Sequence, residues 1–292
     1  MQLTIDNYMT GYIIWNISNV MFEVGGFKVL WYGVLFAIGL TLAGWWIYRE
    51  FGKRGWSDKD FEIFLVWGFV CMFLGCRLAH CLFYQFDYFS QHPIEILLPI
   101  KVMADGSWKF TGYHGLASHG GAVGMIAAII IFYYRTKKLQ TPFGKSKEGL
   151  WTMFDLIALG TCLAGGFIRL GNLMNSEIVG MPTDVPWAVI FTKIDELPRH
   201  PSQMYEAIFY FGIFAVLGHL FTHRNSHKPG FYCGITATAV FIFRFLIEAV
   251  KESKVVDICG IDVKMGQLLS IPFIIFGTAI LILRWGKETT KQ

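Results

Sequence analysis

The sequence predicts an all-α, polytopic membrane protein of about seven transmembrane helices, and three observations lead to that fold class. Hydrophobic residues make up 54% of the 292 residues and charged residues only 16%, against about 25% charged in an average soluble domain. Apolar runs repeatedly approach the ~20 residues needed to cross a hydrocarbon core. The basic residues collect in alternate connections, as the positive-inside rule requires of a multi-pass chain. A net charge of +4 spread over such a chain, and sorted by a membrane, argues against nucleic-acid binding; the composition argues equally against disorder and an ordinary cytosolic enzyme.

The segments lie at roughly 27–49, 61–84, 117–135, 150–168, 203–222, 231–250 and 267–285. The first carries Trp31-Tyr32-Gly33 and ends in Arg49, Lys53 and Arg54. The second follows Lys59 and carries Gly75-Cys76-Arg77. The third opens on Ser118-His119-Gly120-Gly121, with Gly120 and Gly124 forming a small-xxx-small face that lets helices approach closely, and ends at Arg135. The fourth follows Lys147 and closes at Arg169. The fifth opens on His200-Pro201-Ser202-Gln203-Met204-Tyr205-Glu206, the sixth carries Arg244 and Glu248, and the seventh begins at Gln267 and stops at Arg284. Ile94–Met103 and Val185–Phe191 are too short to span and read as half-buried pieces of the longest connections. With no linker and no evident repeat, residues 1–292 read as a single integral membrane domain.

With the N-terminus outside and the C-terminus inside, the inner connections hold 14 of the 25 Lys and Arg residues, while acids such as Asp87, Glu95, Asp184, Asp195 and Glu196 fall in outer loops. None of the six cysteines has CxxC spacing, so neither a disulfide framework nor a zinc site is expected.

Ionisable groups inside membrane segments are costly and are functional candidates by default. The topology puts Tyr32, Arg77, His119, Arg169, Glu206, Arg244 and Glu248 at one depth, toward the outer face, on six different segments. Asp155 is the exception, near the inner end of the fourth. Three arginines at headgroup level suit an anion, because a guanidinium donates two parallel hydrogen bonds to a phosphate. The competing reading pairs each with an acid; Arg244 and Glu248 are spaced i, i+4 on one face. His119 can exchange a proton near neutral pH. Arg169-Leu170-Gly171-Asn172-Leu173-Met174-Asn175-Ser176-Glu177 concentrates hydrogen-bonding groups after an apolar span, with Gly171 allowing a turn and Gly180 just beyond.

These stretches together resemble the bacterial prolipoprotein diacylglyceryl transferase family, whose motif has the form GRxGNxxNxExxG and reads here from Ile168 to Gly180. The His119-Gly120-Gly121 stretch, His200–Glu206, Arg244…Glu248, Trp31-Tyr32-Gly33, Gly75-Cys76-Arg77 and Gln267–Pro272 match in the family's order. Two positions depart from it. Ile168 replaces a Gly, with Gly165 and Gly166 just upstream. Lys251 stands where a further Arg is often found, which keeps the charge and loses the fork.

The resemblance implies transfer of the diacylglyceryl group of phosphatidylglycerol to the thiol of the lipobox cysteine in a preprolipoprotein signal peptide. A thioether forms and glycerol 1-phosphate leaves, at the outer side of a bacterial inner membrane and without cofactor or metal. On that reading Arg169 and Arg244 stabilise the departing phosphate and His119 is the candidate base, with Glu248 or Glu177 as alternatives. Tyr32, Arg77, Asn172, Asn175, Gln203 and Glu206 bind or position the headgroup, and Gly180 fixes the loop. A transporter for an anionic lipid is the rival class; its site would lie near the midplane between repeats.

Overall fold

A computed structural model describes residues 11–98, 100–103, 106–110, 117–223, 227–252, 255–258 and 261–286. In chain order the elements are β1 (Ile13–Trp15), β2 (Val20–Val24), β3 (Phe27–Leu30), α1 (Trp31–Lys53), α2 (Asp58–Phe83), α3 (Phe86–Gln91), α4 (Ile94–Leu97), β4 (Ile100–Val102), β5 (Trp108–Phe110), α5 (Ser118–Leu139), α6 (Gly149–Asn175), β6 (Val189–Phe191), β7 (Pro198–Arg199), α7 (Ser202–Ile213), α8 (His219–His223), α9 (Phe231–Ile247), β8 (Val255–Ile258), β9 (Ile261–Lys264) and α10 (Met265–Leu283). A π-helical turn, Phe214–Gly218, joins α7 to α8, and a 3₁₀ turn, Glu248–Val250, extends α9.

The chain is mostly helical. Six of its helical stretches are long and apolar enough to cross a membrane: α1, α2, α6, Ser202–His223, Phe231–Val250 and α10. The expected segment at 117–135 is also a helix, α5, of 22 residues. That is about 33 Å of rise, but polar groups at both of its ends dilute its apolar stretch. Outside the long helices the chain holds short strands, two of them, β4 and β6, within the expected half-buried pieces: hairpins β2–β3, β4–β5 and β8–β9, and a three-stranded sheet in the order β1-β6-β7.

The chain divides into two compact units, Glu50–Met153 and Met1–Arg49 with Phe154–Gln292. In the first, a capping box starts α2: Ser57 accepts from the Asp60 amide while the Asp60 carboxylate accepts from the Ser57 amide. The expected small-residue face is in use where α2 meets α5. A Cβ on Gly120 would lie 2.0 Å from the Gly75 carbonyl oxygen, and one on Gly124 would lie 2.1 Å from that of Cys71. Only hydrogen fits there. At the far end of this pair Phe51, Phe132 and Phe143 are fully buried and Phe64 and Trp56 nearly so, with Trp56 edge-on to Phe143.

In the second unit α9 and α10 pack backbone to backbone at Gly234 and Gly277. Asp155 has its explanation here. Its carboxylate accepts from the amides of Gly230 at 2.7 Å and Cys233 at 2.6 Å, so a side chain on α6 caps the first turn of α9 and faces the positive end of its dipole.

Candidate functional site

The motif segment at the end of α6 is more helical than the sequence suggests. Gly171 makes no turn: α6 continues to Asn175, and the missing side chain instead admits the Tyr32 ring, since a Cβ on Gly171 would lie 2.8 Å from Tyr32 Cδ2. The reversal comes later, at Ser176 and Ile178, both with φ 57°, and the Glu177 amide closes it on the Asn172 carbonyl. The two asparagines share one acceptor group. Asn172 Nδ2 donates to Glu177 Oε2 and Asn175 Nδ2 to Glu177 Oε1, each at 3.2 Å. Gln203, at the start of α7, donates to the Glu177 carbonyl, and Ser202 donates to that of Ile178 at 2.7 Å.

Arg169 is anchored at two of its nitrogens. Nε pairs with Glu206 Oε2 at 3.2 Å, and Nη1 donates to Asn172 Oδ1 at 3.4 Å. Glu206 is fully buried, and the same Oε2 also takes the Lys251 ammonium at 2.8 Å. Removing a carboxylate from water is tolerated only when cations and donors replace the water; here two cations converge on one oxygen. Neither Glu206 oxygen nor Gln203 Oε1 has a hydrogen bond of full geometry among the described residues, so both cations meet Oε2 as ion pairs.

Arg244 is half-buried on α9. The Tyr210 hydroxyl lies within electrostatic reach of Glu206, Arg169 and Arg244, so both arginines act on one residue of α7. No ion pair joins Arg244 to Glu248 among the described residues, despite their i, i+4 spacing. Glu248 is turned toward α10, where a Cβ on Gly266 would lie 2.3 Å from its carboxyl carbon.

In the other unit, Arg77 is committed to backbone. Its Nε donates to the Ile96 carbonyl at 3.0 Å and its Nη2 to that of Glu95 at 2.7 Å, while its guanidinium lies 4.8 Å from the centre of the Phe89 ring. These contacts fasten α3 and α4 to the end of α2. The backbone of His119 lies in the first turn of α5; its side chain lies outside the described residues.

Two residues absent from the sequence-derived site prove central to its frame. Lys251 follows the last turn after α9 and is 5% exposed. It pairs with Gly180 in an isolated antiparallel bridge, and burial pushes its ammonium below the usual lysine range, opposed by Glu206. Gly180 has to be glycine for this approach, since a Cβ there would lie 2.5 Å from that of His200. Arg199, equally buried, donates to the Gly180 carbonyl at 3.1 Å and pairs with Asp195 and Glu252. Its hydrogen bond holds the Asp195 carboxyl below the usual carboxylate range. Beside these helix ends, Ile13, Trp15, Leu173, Trp187, Met204 and Ile208 line most of an apolar cavity of about 300 Å³.

The family described as Prolipoprotein diacylglyceryl transferase matches residues 19–283. The chain is similar to proteins named phosphatidylglycerol–prolipoprotein diacylglyceryl transferase in several bacteria. It is 40% identical to that of Bacteroides fragilis over 282 residues, 96% of this chain and 98% of the relative. The relative from Tolumonas auensis is 40% identical over 93% of this chain and 97% of its own length. For Porphyromonas gingivalis the identity is 35%, covering 94% and 95%.

Proposed function

The chain belongs to the prolipoprotein diacylglyceryl transferase family, and we propose that the polar cluster joining the end of α6, the start of α7 and the end of α9 is where the transfer takes place. The activity is that of a membrane transferase of lipoprotein biosynthesis. It moves the diacylglyceryl group of phosphatidylglycerol onto a prolipoprotein, the first step of lipoprotein maturation.

The acceptor is the thiol of the lipobox cysteine. Its sulfur, as thiolate, attacks the glyceryl carbon that carries the phosphate. The S–C bond forms as the C–O bond breaks, the electron pair passes to the phosphate oxygen, and glycerol 1-phosphate departs. Free cysteine has a pKa near ~8.5, so the thiol needs a base; His119 takes that proton, with Glu248 or Glu177 as alternatives. Arg169 and Arg244 neutralise the charge that grows on the phosphate, and removal of one such donor costs on the order of 2–4 kcal/mol of barrier stabilisation.

Tyr32, Asn172, Asn175, Glu177, Gln203 and Glu206 hold this pair and the headgroup in place, and Arg77 anchors the outer segments. Gly180 fixes the loop. The apolar cavity beside these helix ends suits a lipid chain or the apolar side chains of the signal peptide. Seven spans, counting α5, with the N-terminus outside put the cluster at the outer face of the bacterial cytoplasmic membrane. The count of basic residues in alternate connections supports that orientation.

The observation that carries this reading is Arg169 of α6 fixed by the buried Glu206, with Arg244 of α9 within electrostatic reach of the same Tyr210 and in no ion pair among the described residues. The test uses purified protein, phosphatidylglycerol and a synthetic lipobox peptide. The peptide is expected to gain the mass of a diacylglyceryl group. Movement of lipid between leaflets with no covalent product would instead establish transport.

A further inference from the structure

We propose that Lys251 is a positioning residue for the transfer: its ammonium holds Glu206, and Glu206 in turn sets the plane of the Arg169 guanidinium. The inference rests on the assignment of Arg169 to the departing phosphate and extends it to a residue that touches no substrate.

The geometry is a chain of three charges through one atom. Lys251 Nζ and Arg169 Nε lie 2.8 and 3.2 Å from the same carboxylate oxygen, Glu206 Oε2. With Nη1 held by Asn172, two fixed nitrogens define the guanidinium plane. The orientation of Arg169 therefore depends on where Glu206 points, and among the described residues neither Glu206 oxygen has a hydrogen bond of full geometry to steady it beyond these two ion pairs. Lys251 itself is held by its backbone. It bridges to Gly180, its amide donates to the Glu248 carbonyl at 3.2 Å, and its carbonyl accepts from Lys264 Nζ at 2.7 Å. Its side chain thus starts from a fixed point beside the motif loop and ends on the carboxylate that anchors Arg169. Without Lys251 the buried Glu206 keeps Arg169 as its one cation and is free to rotate onto a second guanidinium nitrogen, which turns the arginine away from the ligand.

The charged groups facing the ammonium are Glu206 from α7, Arg169 from α6 and Glu248 from its own stretch, with Lys264 of β9 at its carbonyl. Burial lowers the pKa of this ammonium, so the link holds below that pKa and is released as the pH rises through it. Arginine at this position stays charged throughout that range.

The experiment measures transfer from phosphatidylglycerol to a lipobox peptide for full-length Lys251→Met, Lys251→Arg, Glu206→Gln, the Lys251→Met/Glu206→Gln double variant and Arg169→Ala. Lys251→Met is expected to lower kcat about tenfold or more with the lipid KM within about threefold, the signature of an effect on the transition state alone. Lys251→Arg should restore at least about a third of the parental kcat and move the alkaline limb of the pH profile upward. In the Glu206→Gln background, Lys251→Met should cost less than about threefold more, because residues acting through one another are not additive. Parental turnover in Lys251→Met, full additivity with Glu206→Gln, or no recovery with Lys251→Arg overturns the proposal, provided Arg169→Ala is inactive. An active Arg169→Ala overturns the underlying assignment itself.

Discussion

At the scale of single residues, the structure separates charges by what holds them in place. Asp155 and Arg77 bind backbone groups, and Arg199 binds the Gly180 carbonyl together with Asp195 and Glu252; Arg169 is held by side chains, and Arg244 forms no ion pair among the described residues. That Arg169, Glu206 and Arg244 belong together was legible from the sequence, because an ionisable group inside an apolar run stands out against its neighbours. Lys251 stood out only as a departure from the family pattern, and its pairing with Glu206 was not legible, because a cation just past a helix end gives no sign that the fold turns it inward. The partners of Asp155 were equally hidden, lying 75 and 78 residues away. Its role makes a definite prediction. Asp155→Ala leaves two amides of the α9 first turn without their acceptor and should destabilise the protein by about 1–2 kcal/mol, with transfer activity at permissive temperature retained. Thermal unfolding in detergent measures the first and the peptide assay the second; unchanged unfolding contradicts the capping role.

At the scale of elements, apolar runs located the helices to within a few residues, except that α6 extends to Asn175. Gly171 misled because glycine marks turns in soluble proteins, whereas here it makes room for the Tyr32 ring. The strands escaped notice because pieces such as β1, β4, β5 and β6 are three residues long, too short for period-two alternation to register. The small-residue face of α5 was legible, and α2 meets it at Gly120 and Gly124. Gly124→Leu should therefore force α2 and α5 apart at a cost of about 1–3 kcal/mol or more. A fall in thermal stability in detergent is the expected result. An unchanged melting temperature would show that the two backbones do not approach so closely.

At the scale of the whole molecule, a membrane orientation meets a chemical task. The orientation has its own check. In a cysteine-free background, a cysteine replacing Lys193 should react with a membrane-impermeant maleimide on intact cells, and one replacing Lys147 only after the membrane is opened; the reverse pattern inverts the topology. The chemical task is the central claim: guanidinium groups on α6 and α9 stabilise a phosphate as it leaves a lipid. The most direct measurement is single-turnover transfer by Arg169→Ala and Arg244→Ala, in protein shown to insert and melt like the parent. A rate loss of about a hundredfold or more is expected for each, the effect of removing one oxyanion donor, whereas turnover near the parental rate in either variant would refute that role for the arginines.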